Sequence, residues 1–491
     1  MKNIEYYTEI FNSQDEECYS NEIKNDDAAD WMSSHIPVFE CPDKDIESVY
    51  YYRWWTYRKH IKHTSDGYVI TEFLPDVPWA GKHNTINAAT GFHIAEGKWI
   101  TNGCEYIEDY IRFWLDGKGK THAYSSWLVW SIYMYCRHKG DFAIAKENFD
   151  KICAYVKEWE NTHLCENGLF WSVDDRDAME YTISGTTPDL KPLKGFRPTL
   201  NSYMAAEYYA LSEIAKICGY EQTSELYSGK YEKLKNLLNS QLWNDGFYKA
   251  CNFEDEDGNP VLKPVSDDMN VRELIGYIPW YFNLAPEGRE DAFSLLKSDR
   301  CFLSEYGLTT CDMSHKRYLY EVDHECLWNG YIWPFATSQT LGAVINLLRN
   351  YNQKVITKDD FYSMLLKYAK QHYRITEEGK KIFWIDEVMD PRDGKWSSRE
   401  ILKNSGWQKN LGGYERGKDY NHSYFCDFVL GGLCGIGTDD DGKVTVNPLI
   451  PDWWDWFCVD NVELGGKKYT ITFDRHGTKY GSGKGISVKA K

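Results

Sequence analysis

The chain has 491 residues, a formal net charge of −18 and an apolar content of 42%. This length accommodates two or three average domains, or one large repeat-built domain with a small appendage. An acidic chain without a cluster of Lys and Arg argues against a nucleic-acid partner. No apolar run reaches the roughly eighteen residues of a membrane span, so we expect no membrane insertion.

The N-terminal sequence MKNIEYYTEIFNSQDEE is polar and acidic and lacks the apolar core of a secretory signal. The 14 cysteines are scattered as single residues, without CxxC or zinc-type His/Cys spacing. We therefore expect a cytoplasmic protein with reduced thiols, no catalytic metal and no cofactor. The sequence leaves the oligomeric state open.

Helical periodicity dominates from residue 43 to about 436, as in the spacing of Met204, Tyr208, Leu211 and Ala215. Gly- and Asp-rich breaks separate the periodic segments. This alternation predicts an all-α domain built from helix hairpins. Besides the periodic segments around 204–215 and 341–348, the candidate helices are 43–62, 84–98, 104–116, 123–138, 141–163, 222–242, 270–283, 287–298, 358–374 and 419–435.

The end of the chain has a different pattern. VTVNPL, FCVDNVEL and YTITFDRHGTKYG alternate in the manner of strands, with Gly-Gly and Asp-Gly turns between them. The sequence therefore predicts three parts: an N-terminal segment (1–42), a helical domain (43–438) and a small β-rich appendage (439–491). We expect the appendage to pack on the helical body, since no flexible linker separates them.

Aromatic residues make up 16% of the chain, with 20 Trp and 37 Tyr. Their faces suit the apolar faces of sugar rings. Six segments combine Trp or Tyr with polar residues where the helical pattern breaks, and together they predict a concave sugar pocket on one rim of a helical barrel. Helix caps or ion pairs between loops would also explain any one of them. The segments are 51–58, 75–99, 171–204, 323–339, 384–396 and 413–425.

Two of these segments contain paired acids beside aromatic residues. Asp177 and Glu180 lie in DDRDAMEY, and Asp386 and Glu387 lie in WIDEVMDP. Hydrolysis of a glycosidic bond requires one protonated carboxyl group and one carboxylate. Burial and neighbouring like charge can keep a carboxyl group protonated near neutral pH. The two segments therefore supply a candidate acid and a candidate base, if the fold brings them together.

Four motifs, in order, resemble those of the (α/α)6-barrel inverting glycosidases, which include processing α-glucosidase I, trehalase and mannosylglycerate hydrolase. The stretch DAMEYT (177–182) is similar to S-G-M-D-x-S around that family's general acid, and EVMDPRDG (387–394) is similar to E-x-Y-[ND]-P-x-[TD]-G around its base. LNSY (200–203) and WNGYIWP (328–334) are similar to D-L-N-S-Y and W-x-G-P-[IV]-W. The resemblance spans about residues 43–436.

The resemblance implies an (α/α)6 barrel and an exo-acting, inverting glycosidase for short oligosaccharides or glycosides. It assigns Glu180 as general acid and Glu387 as general base. This chain departs from the family pattern in having Glu180 where the family has Asp, and Arg176-Asp177-Ala178 where it has Glu-Ser-Gly. Asp177 therefore stays an alternative acid, or a residue that contacts sugar hydroxyls or raises the pKa of Glu180. Glu325 is the competing candidate for the base.

Further residues of these segments are candidates for sugar binding, as hydrogen-bond donors, acceptors or stacking surfaces, and core or capping roles are open for each. They are Arg53, Trp54, Trp79, Lys82, His83, Asn84, Trp127, Arg197, Glu325, Trp328, Asn329, Lys418, Asp419 and His422.

Other functions are compatible with the same barrel. His324 and His422 keep open a sugar epimerase or isomerase, in which histidines move a proton at a sugar carbon. A polysaccharide lyase is a related alternative. A glycan-binding protein without catalytic activity would keep the barrel and its tryptophans.

Overall fold

A computed structural model describes residues 2–19, 21–254 and 260–491 of the chain. The α-helices of this part are α1 (Lys2–Asn12), α2 (Ala28–His35), α3 (Lys44–His60), α4 (Thr90–Gly97), α5 (Glu105–Leu115), α6 (Leu128–Lys139), α7 (Ala143–Glu147), α8 (Phe149–His163), α9 (Pro198–Cys218), α10 (Glu221–Gln241), α11 (Ile278–Tyr281), α12 (Pro334–Asn350), α13 (Lys358–Lys370) and α14 (Ser397–Ser405). A 3₁₀ helix covers Glu290–Lys297 and a π-helix covers Phe428–Leu433.

Six of the described segments form an inner ring: α4, α6, α9, α11, α12 and the π-helix contact one another in chain order. The ring closes where Glu96 of α4 accepts the backbone N–H groups of Phe425, Cys426 and Asp427, just before the π-helix. Neighbouring helices of the ring approach each other closely where one of them has a small residue. A Cβ on Gly342 of α12, for example, would lie 2.4 Å from the Tyr281 ring.

An outer layer alternates with this ring along the described chain: α3 precedes the first inner segment, and α5, α8, α10, the 3₁₀ helix and α13 each lie between two inner segments in sequence. Outer helices bury one face, as in α10, where Tyr227, Leu234 and Leu238 are buried, whereas the first three turns of α9 are buried on every side. The alternation of inner and outer helices is the (α/α)6 barrel expected from the resemblance.

The strands are short and lie around the helical body. They are β1 (Val38–Glu40), β2 (Ile61–Thr64), β3 (Gly67–Ile70), β4 (Trp171–Ser172), β5 (Gly195–Phe196), β6 (Trp243–Asn244), β7 (Phe247–Tyr248), β8 (Cys251–Glu254), β9 (Pro260–Pro264), β10 (Tyr373–Ile375), β11 (Lys381–Phe383), β12 (Ile436–Thr438), β13 (Val444–Val446), β14 (Trp456–Leu464), β15 (Lys467–Asp474) and β16 (Gly485–Ala490).

The C-terminal strands form an antiparallel sheet in the order β1-β14-β15-β16. Strand β1 comes from the N-terminal segment, and Phe39 pairs with Val459 of β14. The same N-terminal segment contributes α1, which packs on α3. The N-terminal segment therefore contacts both the barrel and the C-terminal sheet, although the boundaries at residues 42 and 438 stay predictions.

Several predicted helices differ in the structure. The segments 84–98 and 123–138 are α-helical only from Thr90 and Leu128, and 270–283 is a 3₁₀ segment followed by the short α11. The segment 141–163 is two helices, α7 and α8, that meet at Asn148. The segment 287–298 forms the tighter 3₁₀ helix, and most of 419–427 is irregular. Among the described residues, no helix is both long and apolar enough to span a bilayer.

Candidate active site

A cavity of about 460 Å³ lies where the loops that precede the inner helices converge. Its walls come from the loops before α4, α6, α9, α12 and the π-helix, which are far apart in sequence. A volume of this order suits a small-molecule site. The lining residues are Glu72, Phe73, Trp79, Ile86, Ala88, Tyr124, Ala178, Glu180, His324, Glu325, Cys326, Trp333, Glu387, Trp407, Tyr420 and His422.

Glu180 lies in the tight loop between β4 and β5, where Ala178 and Tyr181 have positive φ angles. Its carbonyl oxygen accepts the backbone N–H of Trp328 at 3.0 Å, which ties this loop to the loop before α12. In the described chain, no Lys or Arg lies within ion-pair distance of its carboxyl group. Burial, reinforced by the negative charge of Glu387, raises the pKa of Glu180 to about 8.

Glu387 lines the same cavity in a different environment. One of its oxygens lies 2.5 Å from the guanidinium of Arg416, and the other accepts a hydrogen bond from the Cys326 thiol at 3.2 Å. The Glu387 side chain is 3% exposed and Arg416 is fully buried. A fixed guanidinium favours the ionised form of a carboxyl group next to it. Glu387 thus has the partner of a carboxylate, which Glu180 lacks.

Arg416 also donates to Glu325 at 2.9 Å. Burial opposes ionisation of Glu325, but the hydrogen bond and charge of Arg416 outweigh it and lower the pKa of Glu325 below its usual range. The guanidinium also contacts the rings of Trp79 and Trp407, 5.0 and 5.3 Å from their centres. It therefore positions two carboxylates and two aromatic walls of the cavity at once.

Asp386, next to Glu387, is buried behind the cavity. It accepts hydrogen bonds from the Glu387 backbone N–H at 2.8 Å and from the Trp384 indole at 3.2 Å, and burial raises its pKa to about 6. A Cβ on Gly417 would lie 2.1 Å from an Asp386 oxygen. Glycine at 417 therefore lets the backbone beside Arg416 approach Asp386 closely.

Asp177 lies outside the cavity lining. It is fully buried, pairs with Arg197 at 2.8 Å and accepts hydrogen bonds from Ser125, Ser172 and Thr199. These donors occupy both carboxylate oxygens. Asp177 therefore lies in a hydrogen-bond network of the loop that carries Glu180, away from the cavity, which is none of the roles that the sequence left open.

The structure brings five of the predicted residues together at the cavity: Glu180, Glu387, Trp79, Glu325 and His422. The other residues predicted to bind sugar lie outside the cavity, where their side chains pack in the core or form hydrogen bonds and ion pairs. Asn84, for example, bonds the loop backbone at Phe73, Pro75 and Val77. The residues outside the lining are Arg53, Trp54, Lys82, His83, Asn84, Trp127, Arg197, Trp328, Asn329, Lys418 and Asp419.

Those residues have identifiable structural partners. Arg53 donates to Ser423, and Asp419 pairs with Lys59 at 2.6 Å. Lys418 pairs with Asp15 at 3.1 Å. Lys82 and His83 both contact Asp66. The remaining ones are buried, with Trp328 stacked on Trp333 at 4.5 Å.

Sequence reasoning missed Glu72 and Tyr420 of the cavity lining, and Arg416, which pairs with two carboxyl groups of that lining. Arg416 and Tyr420 belong to the segment 413–425, whose mixture of aromatic and polar residues is visible in the sequence. Glu72 carries a weaker signal: it is a single acid inside the apolar run YVITEFL. A carboxyl group in such a run is a candidate for a buried, functional acid.

Such a barrel, with a carboxyl pair inside an aromatic-walled pocket, is the architecture of the helical-barrel glycosidases. A family model described as mannosylglycerate hydrolase MGH1-like glycoside hydrolase domain matches residues 82–423. A second model, described as glycosyl hydrolase family 65, C-terminal domain, matches residues 438–491. Because the first model covers more than half of the chain, the chain belongs to the MGH1-like glycoside hydrolase domain family.

Solved structures agree with this assignment. A protein described as a sialidase is 35% identical over 100% of this chain, with a TM-score of 0.88. This chain covers 43% of that protein, so it spans less than half of its length. A GH78 rhamnosidase of a Bacillus species is 11% identical, with a TM-score of 0.58 over 92% of this chain and 41% of its own. The GH63 mannosylglycerate hydrolase of Thermus thermophilus is 12% identical, with a TM-score of 0.51. The match covers 71% of this chain and 98% of that protein. The last two likenesses show the fold alone.

Proposed function

We propose that this protein is an exo-acting, inverting glycosidase of short oligosaccharides or glycosides, with Glu180 as general acid and Glu387 as general base. The observation that carries the proposal is the contrast between two carboxyl groups in one cavity. Glu180 has a pKa raised to about 8 and is protonated at neutral pH, whereas Glu387 is paired with Arg416. One acid and one base in a single pocket is the requirement of glycoside hydrolysis.

In the reaction, the Glu180 hydroxyl donates its proton to the glycosidic oxygen as the bond from that oxygen to the anomeric carbon breaks. Glu387 accepts a proton from a water molecule, whose oxygen attacks the anomeric carbon from the opposite face. The products are the alcohol and a sugar of inverted anomeric configuration. Proton exchange with solvent returns Glu180 to its protonated form and Glu387 to its ionised form.

The surrounding residues support this division of roles. The aromatic walls from Phe73, Trp79, Trp333 and Trp407 offer faces for sugar stacking. Arg416 orients Glu387, and the Asp177–Arg197 pair anchors the loop of Glu180. Glu325 shares Arg416 with Glu387, which makes it the remaining competitor for the base.

The test is an assay of the purified protein on a panel of α- and β-linked disaccharides of pyranoses and furanoses, whose sugar leaving groups require a proton. Hydrolysis should fall about 10²- to 10⁴-fold in both Glu180→Gln and Glu387→Gln. Glu207→Gln is the matched control, because Glu207 is a buried carboxyl with a raised pKa that accepts the Trp130 N–H and does not line the cavity. It should keep the activity of the wild type.

Proton NMR of the first-formed sugar should show inversion of the anomeric centre. Retention would contradict the inverting mechanism, and undiminished hydrolysis by Glu180→Gln would contradict the acid assignment. Loss of activity in Glu325→Gln but not in Glu387→Gln would move the base to Glu325. Isomerised monosaccharide without hydrolysis would contradict the glycosidase proposal as a whole.

A further inference from the structure

Three buried side chains form a hydrogen-bonded chain along one wall of the cavity. The Tyr420 hydroxyl lies 2.9 Å from Oε1 of Glu72 and 2.8 Å from Nδ1 of His422. The outer ends of this chain, Oε2 of Glu72 and Nε2 of His422, have no hydrogen-bond partner among the described residues. They lie 3.7 Å apart, too far for a direct hydrogen bond. Two buried polar atoms, left unpartnered in a pocket wall, mark a place for a ligand.

Burial favours the uncharged form at both ends of the chain. Burial raises the pKa of Glu72 well above its usual range, and the charges of Glu387 and Glu180 act in the same direction against the hydrogen bond from Tyr420. Burial lowers the pKa of His422 well below its usual range. The three side chains therefore share three protons: one from the carboxyl group, one from the phenol and one from the imidazole.

These three protons have two complementary arrangements. In the first, Glu72 carries its proton on Oε2, Tyr420 donates to Oε1 and His422 donates from Nδ1 to the Tyr420 oxygen, so Nε2 is an acceptor. In the second, Glu72 donates from Oε1 to Tyr420, Tyr420 donates to Nδ1 and His422 carries its proton on Nε2, so Oε2 is an acceptor. Either arrangement presents one donor and one acceptor to the cavity.

A sugar hydroxyl is itself one donor and one acceptor. We propose that the Glu72–Tyr420–His422 chain is the subsite that recognises one hydroxyl of the substrate, which donates to one end of the chain and accepts from the other. The proposal rests on the proposed function and names a specificity determinant for it. Because Glu72, Tyr420 and His422 line the same cavity as Glu180 and Glu387, we assign the hydroxyl to the sugar whose anomeric carbon is attacked.

Packing fixes the two rings of the subsite. Phe335 contacts the His422 ring at 4.5 Å between centres, and Phe73 contacts the Tyr420 ring at 5.0 Å. Neither ring can turn away from the cavity without displacing a buried neighbour. A substrate without the hydroxyl would leave both buried ends of the chain unsatisfied, which is how a polar site rejects a deoxy analogue.

The variants of Glu72 separate this role from that of a carboxylate. In Glu72→Gln, the amide oxygen can accept from Tyr420 while the amide N–H faces the cavity, which reproduces the first proton arrangement. In Glu72→Leu, neither group remains. A subsite of neutral groups therefore tolerates Gln and not Leu at position 72, whereas a Glu72 that acts as a carboxylate or transfers a proton fails with both.

The experiment is calorimetric binding of D-glucose, D-mannose, D-galactose, L-arabinose and L-rhamnose to the full chain, followed by the monodeoxy derivatives of the tightest binder. In the wild type, one monodeoxy derivative should bind about 10- to 100-fold more weakly than its parent. Glu72→Gln should bind the parent within about threefold of the wild type. Glu72→Leu, His422→Phe and Tyr420→Phe should bind it at least about tenfold more weakly and lose the discrimination.

Tyr351→Phe is the matched control for Tyr420→Phe, because the Tyr351 hydroxyl donates to the Ala285 carbonyl outside the cavity lining. It should bind as the wild type does. Three results would overturn the proposal: no binding of any of the five sugars, unchanged discrimination in Glu72→Leu, or equal losses in Glu72→Gln and Glu72→Leu. If the sugars bind as predicted but no glycoside is hydrolysed, the subsite is supported and the proposed function is overturned.

Discussion

Two glutamates of the cavity have contrasting environments. Glu180 is buried near other acids, and its pKa is raised to about 8. Glu387 contacts the buried guanidinium of Arg416 and the thiol of Cys326. The difference teaches that residue type alone does not assign catalytic roles. The neighbours that exclude water or supply charge decide which carboxyl group keeps its proton.

The same contrast separates Asp177 from Glu180 within one short segment. Asp177 has an arginine and three hydroxyl groups around it, as a structural carboxylate requires. Glu180, three residues later, faces the cavity. A tight turn with Ala178 at positive φ lies between them and directs their side chains to different places.

Removal of the base should give the largest effect. In Glu387→Ala, we expect kcat to fall about 10³- to 10⁴-fold, because no group remains to take the proton from water. Azide should restore part of the activity, since it is a nucleophile that needs no deprotonation and an anion that can occupy the space beside Arg416. Detection of an inverted glycosyl azide by NMR checks this. A rescued product of retained configuration would contradict the assignment.

Removal of the acid should depend on the leaving group. In Glu180→Gln, cleavage of a glycoside with a sugar leaving group should fall about 10²- to 10³-fold, because the departing oxygen receives no proton. A 2,4-dinitrophenyl leaving group needs no proton, so its release should fall less than about tenfold. The comparison of the two rates in one variant is the measurement. Equal losses for both substrates would show that Glu180 does not act as the acid.

The pH dependence should follow the protonation of Glu180. The acid must be protonated to act, so activity should fall as pH rises through about 8, by about tenfold for each further unit. Measurement of kcat/KM from pH 5 to pH 10 would locate this fall in activity. Glu207→Gln should keep it, whereas a fall that persists unchanged in Glu180→Gln would have to come from another group.

A smaller effect concerns stability. Glu180 binds its proton up to about pH 8 in the folded chain, but releases it near its ordinary pKa when unfolded. Between these values the folded state binds more protons, so this group lowers the free energy of unfolding as pH rises. Glu180→Gln lacks this pH-dependent contribution, so its free energy of unfolding relative to that of the wild type should rise from pH 5 to pH 9. Denaturant titrations at both pH values test this; a constant difference would contradict it.

Much of the fold was predictable because the signals are local and strong. Helical periodicity and Gly-Asp breaks predicted the helices of the (α/α)6 barrel, and the alternation after residue 440 predicted the C-terminal strands. The helix boundaries in 141–163 and 419–435 differed, since Asn148 divides the first segment and most of 419–427 is irregular, with Tyr420 and His422 at the cavity. Burial, which the sequence does not encode locally, explains why many predicted sugar ligands lie in the core instead.

The candidate site was predictable where a motif placed it. Glu180 and Glu387 were found through their resemblance to family motifs, and both line the cavity. Arg53 and Trp127 have the right chemistry for sugar binding but lie outside the lining. Glu72 was missed for the opposite reason: its neighbours in sequence are apolar, and its partner Tyr420 is far away in the chain. Such a pair becomes visible only when the fold brings the two segments together.

The central claim is that Glu180 keeps its proton at neutral pH in the cavity where Glu387 is paired with Arg416. A carbon-13 NMR titration of the protein labelled at the Glu side-chain carboxyl carbon, with Glu180→Gln to assign the signal, measures it directly. We expect the Glu180 signal to titrate with a pKa of about 8. A midpoint at the ordinary glutamate value, near 4.3, would contradict the assignment of Glu180 as the general acid.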